Sequence, residues 1–488
     1  MNTRPENTAH SLAYSAMGDL GSRILLLAGY IVLARFLSPA EFGLITVVSV
    51  LIAILGVIVE LGFGAAVIQR QDVTGSLTQT AFWTNTLAGM VLSCLIILSA
   101  GLTSEFFGIP ELEPIVQATA VVLLWNGMAK VPLSLLMKRR EFRKVAAVDL
   151  VAGICSVGLG IVLAIGGAGV FSLVAMIVIS SLLKLVLSFW FSQWRPRLAY
   201  TRRDLKELAG YGLPLSATRL YTQVAVNVDK LLIGKMLSTS LLGAYRLAFQ
   251  IVELPTQVIA GVFHRVFFSV YVDHGDDTNR IRKTHLLATR SVAFFTFPAL
   301  LGISVLSERF VLVFLGERWI EMAPILSFLA VISLFRNVGV LNDVLYLSQG
   351  ATGLQFKVVL LLRSVVILGV VIGVRFGIVG LLWGLLAARV FNLIPAYHFS
   401  GKLVGLSVLD VLKNLWEIVA LSLLMSVLLY LVQARVSAAT DSLTAFLFLV
   451  LFGAAVYLTC SYLFMRDRWN EILVNLAQQF RGDAKFEN

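Results

Sequence analysis

The sequence predicts an all-α polytopic membrane protein of about fourteen transmembrane helices, in two six-helix bundles plus two C-terminal helices. Three observations carry that prediction. Of the 488 residues, 58% are hydrophobic and 14% charged, and the mean hydropathy is +0.88. That is more apolar surface than a soluble domain can bury. Apolar runs of about 20 residues, the length that crosses ~30 Å of hydrocarbon, recur along the whole chain. The gaps between the runs alternate in charge. Strong β-barrel alternation is absent, which excludes an outer-membrane barrel.

In order, the expected helices are 17–37, 42–67, 79–102, 114–137, 146–166, 169–192, 209–235, 241–270, 286–306, 322–347, 356–375, 377–400, 411–432 and 443–465. The first contains Asp19 and Arg23, four residues apart and able to pair along a helix. It lacks a clean short apolar core followed by a small-residue cleavage site, so it is expected to be retained. With the N-terminus cytoplasmic, the even-numbered gaps hold Lys138, Arg139, Arg140, Arg143 and Lys144, then Arg195, Arg197, Arg202, Arg203 and Lys206, then Arg280, Arg282 and Lys283. The opposite gaps hold mainly Glu105, Glu111 and Glu113 and the turn Gly166-Gly167-Ala168-Gly169. This is the positive-inside pattern, and it puts both termini in the cytoplasm. It also accounts for the net charge of +11, so the basic balance points to the lipid bilayer and not to nucleic acid. Cys94, Cys155 and Cys460 fall in apolar segments at no metal or disulfide spacing, and are expected to be buried small side chains.

The chain repeats itself. Leu33-Ala-Arg-Phe-Leu-Ser-Pro-Ala-Glu-Phe-Gly43 returns 200 residues later as Ile233-Gly-Lys-Met-Leu-Ser-Thr-Ser-Leu-Leu-Gly243. At an offset of 208, Gly108 matches Gly316, Gly169 matches Gly377 and Leu173 matches Leu381. Repeats six helices apart share one orientation in the bilayer, which gives two parallel bundles with a substrate site between them. The expected division is 1–194 for the first bundle, 195–208 for a basic cytoplasmic linker, 209–400 for the second bundle, and 401–488 for two further helices and a cytoplasmic tail. Trp190, Trp194 and Tyr200 with the linker arginines have the composition of an interfacial strap facing anionic lipid. A plain solvated loop that fixes topology would look the same.

Cations lie inside the apolar segments: Arg23, Lys130, Arg219, Lys230, Arg246, Arg336, Arg363 and Arg389. Each costs ~2.5–3.5 kcal/mol at mid-bilayer, so it needs a polar cavity or a partner. The seventh expected helix is the most legible. Arg219, Gln223, Asn227 and Lys230 follow spacings of four, four and three, which puts two cations and two amides on one face. Charge suits phosphate, and amides suit sugar hydroxyls. Packing against other helices, with Lys230 paired to Asp229, is the alternative. Arg246 with Gln250 and Glu253, Arg336 with Asp343, and Arg389 with Asn392 also share faces, where ion pairs within or between helices would suffice. Cations in the segments outnumber the acids Asp19, Glu60, Asp149, Asp229, Glu253, Asp343 and Glu417, and the excess suits a diphosphate. Glu60, Asp229 and Asp343 are candidates for coupling to an H+ or Na+ gradient; no cofactor or metal is expected.

Several stretches carry a family resemblance: Ala34-Arg-Phe-Leu-Ser-Pro-Ala-Glu-Phe-Gly-Leu44, Glu60-Leu-Gly-Phe-Gly-Ala-Ala-Val-Ile-Gln-Arg70 and Asn227-Val-Asp-Lys-Leu-Leu-Ile-Gly234. Gly243-Ala-Tyr-Arg-Leu-Ala248 with Pro255, and Phe314-Leu-Gly-Glu-Arg-Trp319 with Pro324, add to them. The chain resembles the polysaccharide transporter (colanic acid exporter-like) branch of the multidrug/oligosaccharidyl-lipid/polysaccharide exporter superfamily over almost its whole length. The resemblance implies a flippase that carries an undecaprenyl-diphosphate-linked oligosaccharide from the inner to the outer leaflet of the bacterial inner membrane. Exopolysaccharide, capsule or lipopolysaccharide synthesis would follow, with a polysaccharide polymerase as a partner. It also implies that cavity cations hold the diphosphate.

An enzyme is not expected: the gaps are short and hold no catalytic constellation. A multidrug pump of the same superfamily would favour carboxylates in its cavity. A flippase for the peptidoglycan precursor shares the diphosphate lipid, and the chamber chemistry alone does not separate it from a polysaccharide flippase.

Overall fold

Ser38-Pro39-Ala40-Glu41 shows how the sequence starts its helices. Pro39 supplies a preset φ at the first helical position, and the Ser38 hydroxyl accepts from the Glu41 N–H at 3.4 Å. The Glu41 carboxylate accepts from the Ser38 N–H at 2.7 Å, which closes a capping box. The computed structural model describes residues 5–70, 75–273, 275, 277–435 and 442–466, and no strand occurs among them. The helices are α1 (Pro5–Ala34), α2 (Pro39–Glu60), α3 (Phe63–Gln69), α4 (Gly75–Leu98), α5 (Ala100–Phe107), α6 (Leu112–Thr119), α7 (Val121–Lys138), α8 (Phe142–Ile165), α9 (Val170–Ser192) and α10 (Arg202–Met236). They continue as α11 (Thr239–Asp273), α12 (Thr278–Val305), α13 (Ser307–Phe310), α14 (Met322–Val338), α15 (Asn342–Ser348), α16 (Thr352–Gly373), α17 (Gly377–Val404), α18 (Val408–Arg435) and α19 (Leu443–Phe464).

Ten helical segments among the described residues are long and apolar enough to cross a membrane, and one of them, 352–404, holds both α16 and α17. Helices α10 and α11 are absent from the ten although each has 35 residues, roughly 50 Å of helix. In α10 the polar stripe of Arg219, Gln223, Asn227, Asp229 and Lys230 lowers the hydropathy. Four expected helices are broken, the 79–102 segment at Ser99 between α4 and α5. The 42–67 segment stops at Glu60, turns through Leu61 (φ 48°) and Gly62 (φ 70°), and resumes as α3. The 114–137 segment divides at Ala120, and the 322–347 segment divides at 339–341. The expected cytoplasmic tail beyond residue 466 and the Asp19 side chain lie outside the described residues.

Two compact units divide the chain, residues 1–246 and 247–488. In the first, α8 packs on α1 and α9, α7 on α4 and α9, and α2 on α10. The sequence repeat has a direct physical expression here. A Cβ on Gly43 would stand 1.9 Å from the Thr239 carbonyl oxygen, and a Cβ on Gly243 would stand 1.9 Å from that of Pro39. The helix starts of α2 and α11 thus touch backbone to backbone, each through its own glycine. A second reciprocal seam joins Leu61-Gly62 to Gly212 near the other end of α2.

In the second unit, α12 is flanked by α14 and α18. A parallel ladder fixes α18 and α19 to it. Arg282 pairs with Asp410 at 3.0 Å, Asn414 donates to the Leu286 carbonyl at 2.8 Å, Arg290 pairs with Glu417 at 2.6 Å, and Tyr457 donates to the Phe294 carbonyl at 2.9 Å. The α12 positions are spaced by four, so one face of one helix carries the whole ladder. Around it lies a core of Phe294, Phe297, Ile418, Met425 and Tyr457. The cysteines correct the sequence reading: Cys94 and Cys155 are exposed and Cys460 is half-buried. In a chain solvated by lipid, apolar residues need no burial in protein, so a cysteine in an apolar run can face outward.

Candidate functional site

The break after Glu60 sets the site. Glu60 is the last residue of α2, where the carbonyl end of the helix dipole disfavours a carboxylate. Two cations compensate. Lys130 of α7 places its ammonium 2.8 Å from Oε2, and Arg219 of α10 donates to Oε1 at 3.0 Å. One carboxylate therefore binds three helices, and one positive charge is left in excess. The side chains are 19% exposed for Glu60, 36% for Lys130 and 43% for Arg219. The node is open to a ligand more than it is locked in a core.

Neighbours explain why these groups meet. A Cβ on Gly64 would lie 2.7 Å from Lys130 Cε, so the bare glycine leaves the channel for the lysine stem. Asn85, fully buried on α4, caps the end of α2. With its amide nitrogen turned toward them, it donates to the Glu60 and Val59 carbonyls at 3.2 and 3.3 Å. Sequence reasoning missed Asn85 and Gly64. The signal for Gly64 was its place two residues after Gly62, and Asn85 gave none beyond being a polar residue in an apolar helix.

The α10 stripe splits along its length. Arg219 is exposed and Gln223 half-buried, whereas Asn227 and Lys230 turn into the unit. Lys230 is 6% exposed; its ammonium donates to the Val226 carbonyl at 3.0 Å and to Asn227 Oδ1 at 3.2 Å, and lies 3.6 Å from Asp229. Asp229 also accepts from the Tyr245 hydroxyl at 2.6 Å and from the Lys230 N–H at 2.8 Å. Two of the quoted sequence stretches, around Asp229 and around Tyr245, are thus joined by one buried hydrogen bond. Arg246, the next residue, is half-buried.

Arg23 lies exposed on α1. In the second unit, Arg336 pairs with Glu253, which also accepts from Gln257 at 3.2 Å. Its partner is across a helix interface and not Asp343, which instead faces Gln355 at 3.5 Å. Arg363 on α16 and Arg389 on α17 are half-buried, and Asn392 is spent on the Leu362 carbonyl at 2.9 Å. The structure therefore gathers Glu60, Lys130 and Arg219 at one node, and Asn227, Asp229 and Lys230 at another. Arg23 stands on α1 of the same unit, and Arg336, Arg363 and Arg389 belong to the second unit.

The family model for polysaccharide biosynthesis proteins matches residues 32–324, more than half of the chain. The chain belongs to the polysaccharide biosynthesis protein family. Its relatives include the lipopolysaccharide biosynthesis protein WzxC of Escherichia coli (strain K12), 26% identical over 84% of this chain and 84% of that one. The teichuronic acid biosynthesis protein TuaB of Bacillus subtilis (strain 168) is 28% identical over 62% of each chain, so this chain spans less than two thirds of that relative. Among solved structures, the lipid II flippase MurJ in an inward closed conformation is 17% identical, with 93% of this chain and 99% of that one covered and a TM-score of 0.76. That likeness concerns the fold. Ten helical segments of membrane-spanning length among the described residues agree with a multi-span protein of the polysaccharide biosynthesis family.

Proposed function

We propose that this chain moves an undecaprenyl-diphosphate-linked oligosaccharide from the inner to the outer leaflet of the bacterial inner membrane by alternating access. The observation that carries the reading is the unbalanced node, one carboxylate shared by Lys130 and Arg219. A diphosphate offers several acceptor oxygens and more charge than Glu60, so it competes for both donors. When it does, Glu60 loses its partners and becomes the candidate carboxylate for the coupling ion, H+ or Na+. Release on the far side restores the Glu60 pairs, so anion and coupling ion alternate on one set of side chains. Gln223, on the next turn of α10, is suited to glycan hydroxyls. The buried Asp229–Lys230 group holds α10 against the start of α11, and Arg246 adds a further positive charge nearby in sequence.

The family match and relatives that act in lipopolysaccharide biosynthesis and, in Rhizobium meliloti (strain 1021), succinoglycan biosynthesis transport support a glycan cargo. A peptidoglycan lipid precursor is the second reading, favoured by the fold likeness to MurJ. Cytoplasmic termini, rocking of the repeats and a polymerase that consumes the flipped lipid belong to the same proposal. The test is deletion of the gene with analysis of lipid extracts. Accumulation of a diphosphate-linked oligosaccharide on the inner leaflet, relieved by wild type and not by Arg219→Ala, is expected. Accumulation of the peptidoglycan precursor instead would transfer the proposal to the second reading, and an unchanged lipid pool would end it.

A further inference from the structure

Residues 193–206 run from the end of α9 into the first turn of α10, and their backbone is stitched down while their basic side chains are not. The two polar atoms of the Gln79 side chain bind this strap twice: Nε2 donates to the Arg195 carbonyl at 3.3 Å, and Oε1 accepts from the Arg197 N–H at 2.7 Å. Trp83 Nε1 donates to the Arg197 carbonyl at 2.9 Å, and the Thr80 hydroxyl accepts from the Thr201 N–H at 3.2 Å. Trp194 anchors the start, 5.3 Å centroid to centroid from Phe82 in an edge-on arrangement. A solvated loop that only set topology would need none of these bonds.

With the backbone facing α4, Arg195, Arg197, Arg202, Arg203 and Lys206 are all exposed, and none forms an ion pair among the described residues. Between them Leu198 is 92% exposed, with Tyr200 also outward and Trp190 outward two residues before α9 ends. A leucine offered that fully beside unpaired arginines suits one surrounding above others. Arginine reaches phosphates, aromatic rings sit at headgroup depth, and an aliphatic side chain enters the acyl boundary. Nucleic acid would use the charge but leave Leu198 in water.

We infer that the 193–206 strap is a docking surface for anionic phospholipid headgroups, held rigid by α4 so that unit 1 keeps a fixed depth in the leaflet it faces. This goes beyond the transport proposal and does not depend on the cargo. The experiment uses full-length protein in which Cys94, Cys155 and Cys460 are replaced by alanine and Leu198→Cys carries a bimane. It is reconstituted in phosphatidylcholine vesicles with and without phosphatidylglycerol. Expected are a blue-shifted bimane quenched by shallow lipid-borne quenchers, and co-purification of phosphatidylglycerol. On changing Arg195, Arg197, Arg202 and Arg203 together to Gln, that retention falls on the order of tenfold or more, with the thermal midpoint unchanged. A water-like bimane in both vesicles would overturn the inference. So would shielding that lipid-borne quenchers cannot reach, or release of the lipid by millimolar inorganic phosphate, which would mark a general anion surface. Were the four-fold variant not to fold, the Leu198 probe on wild-type arginines would still decide.

Discussion

The Glu60 node in the first unit and the Arg290–Glu417 pair in the second use the same chemistry to opposite ends. At Glu60 one acid serves two cations, and the cations are more than one third exposed. At Glu417 the paired Arg290 is only 7% exposed, within a ladder that fixes α18 and α19 to α12. Arg336 with Glu253 follows the second pattern. A cation count along the sequence treats all of these alike. What separates them is the exposure of the cations: an enclosed pair inside a ladder holds helices together, and an open node in which two cations share one acid has charge to lend.

The largest effect that would break this contrast is on stability. Arg290→Ala removes the 2.6 Å partner of the Glu417 carboxylate and should cost about 3–5 kcal/mol, read as a fall in the thermal midpoint in detergent. Replacing both by leucine should recover most of the loss. Were Arg290→Ala neutral, burial would not be the distinction. By contrast Glu60→Gln should change the midpoint by no more than ~1 kcal/mol, because exposed pairs contribute little.

Function should show the reverse. Lys130→Ala and Arg219→Ala should each lower polymer export on the order of tenfold or more at normal protein levels, the loss of one charge-assisted contact of ~1.5–3 kcal/mol. Export at wild-type rate in both would move the site elsewhere. A smaller effect tests the buried Asp229 group. Tyr245→Phe removes its 2.6 Å donor and should destabilise by ~1–3 kcal/mol by chemical denaturation. Smallest of all, Ser38→Ala removes the α2 cap and should cost ~0.5–2 kcal/mol in the same assay, without changing export per folded molecule.

Much of this was legible in the sequence, for reasons that differ by element. Helix identity followed from apolar run length, whereas the cap in Ser38-Pro39-Ala40-Glu41 was read only from the structure. The repeat around Gly43 and Gly243 was visible as spelling, and its meaning, two glycines touching each other's helix starts, needed coordinates. The α10 stripe was read as one helix face, but a helix face does not say which turns are covered, so Lys230 and Arg219 looked equivalent. The break at Leu61-Gly62 was hidden because isolated glycines such as Gly62 and Gly64 within an apolar run are tolerated in a straight helix. Pairings between distant helices, such as Lys130 with Glu60 or Arg290 with Glu417, leave no spacing to read.

The central claim is that Glu60 and a diphosphate compete for Lys130 and Arg219. Binding of undecaprenyl diphosphate to the purified protein, titrated for wild type, Glu60→Gln and Arg219→Ala, tests it most directly because the two variants should move in opposite directions. The account predicts tighter binding for Glu60→Gln, where the internal rival is gone, and weaker binding for Arg219→Ala. Weaker binding in Glu60→Gln, or no change in either variant, would contradict it.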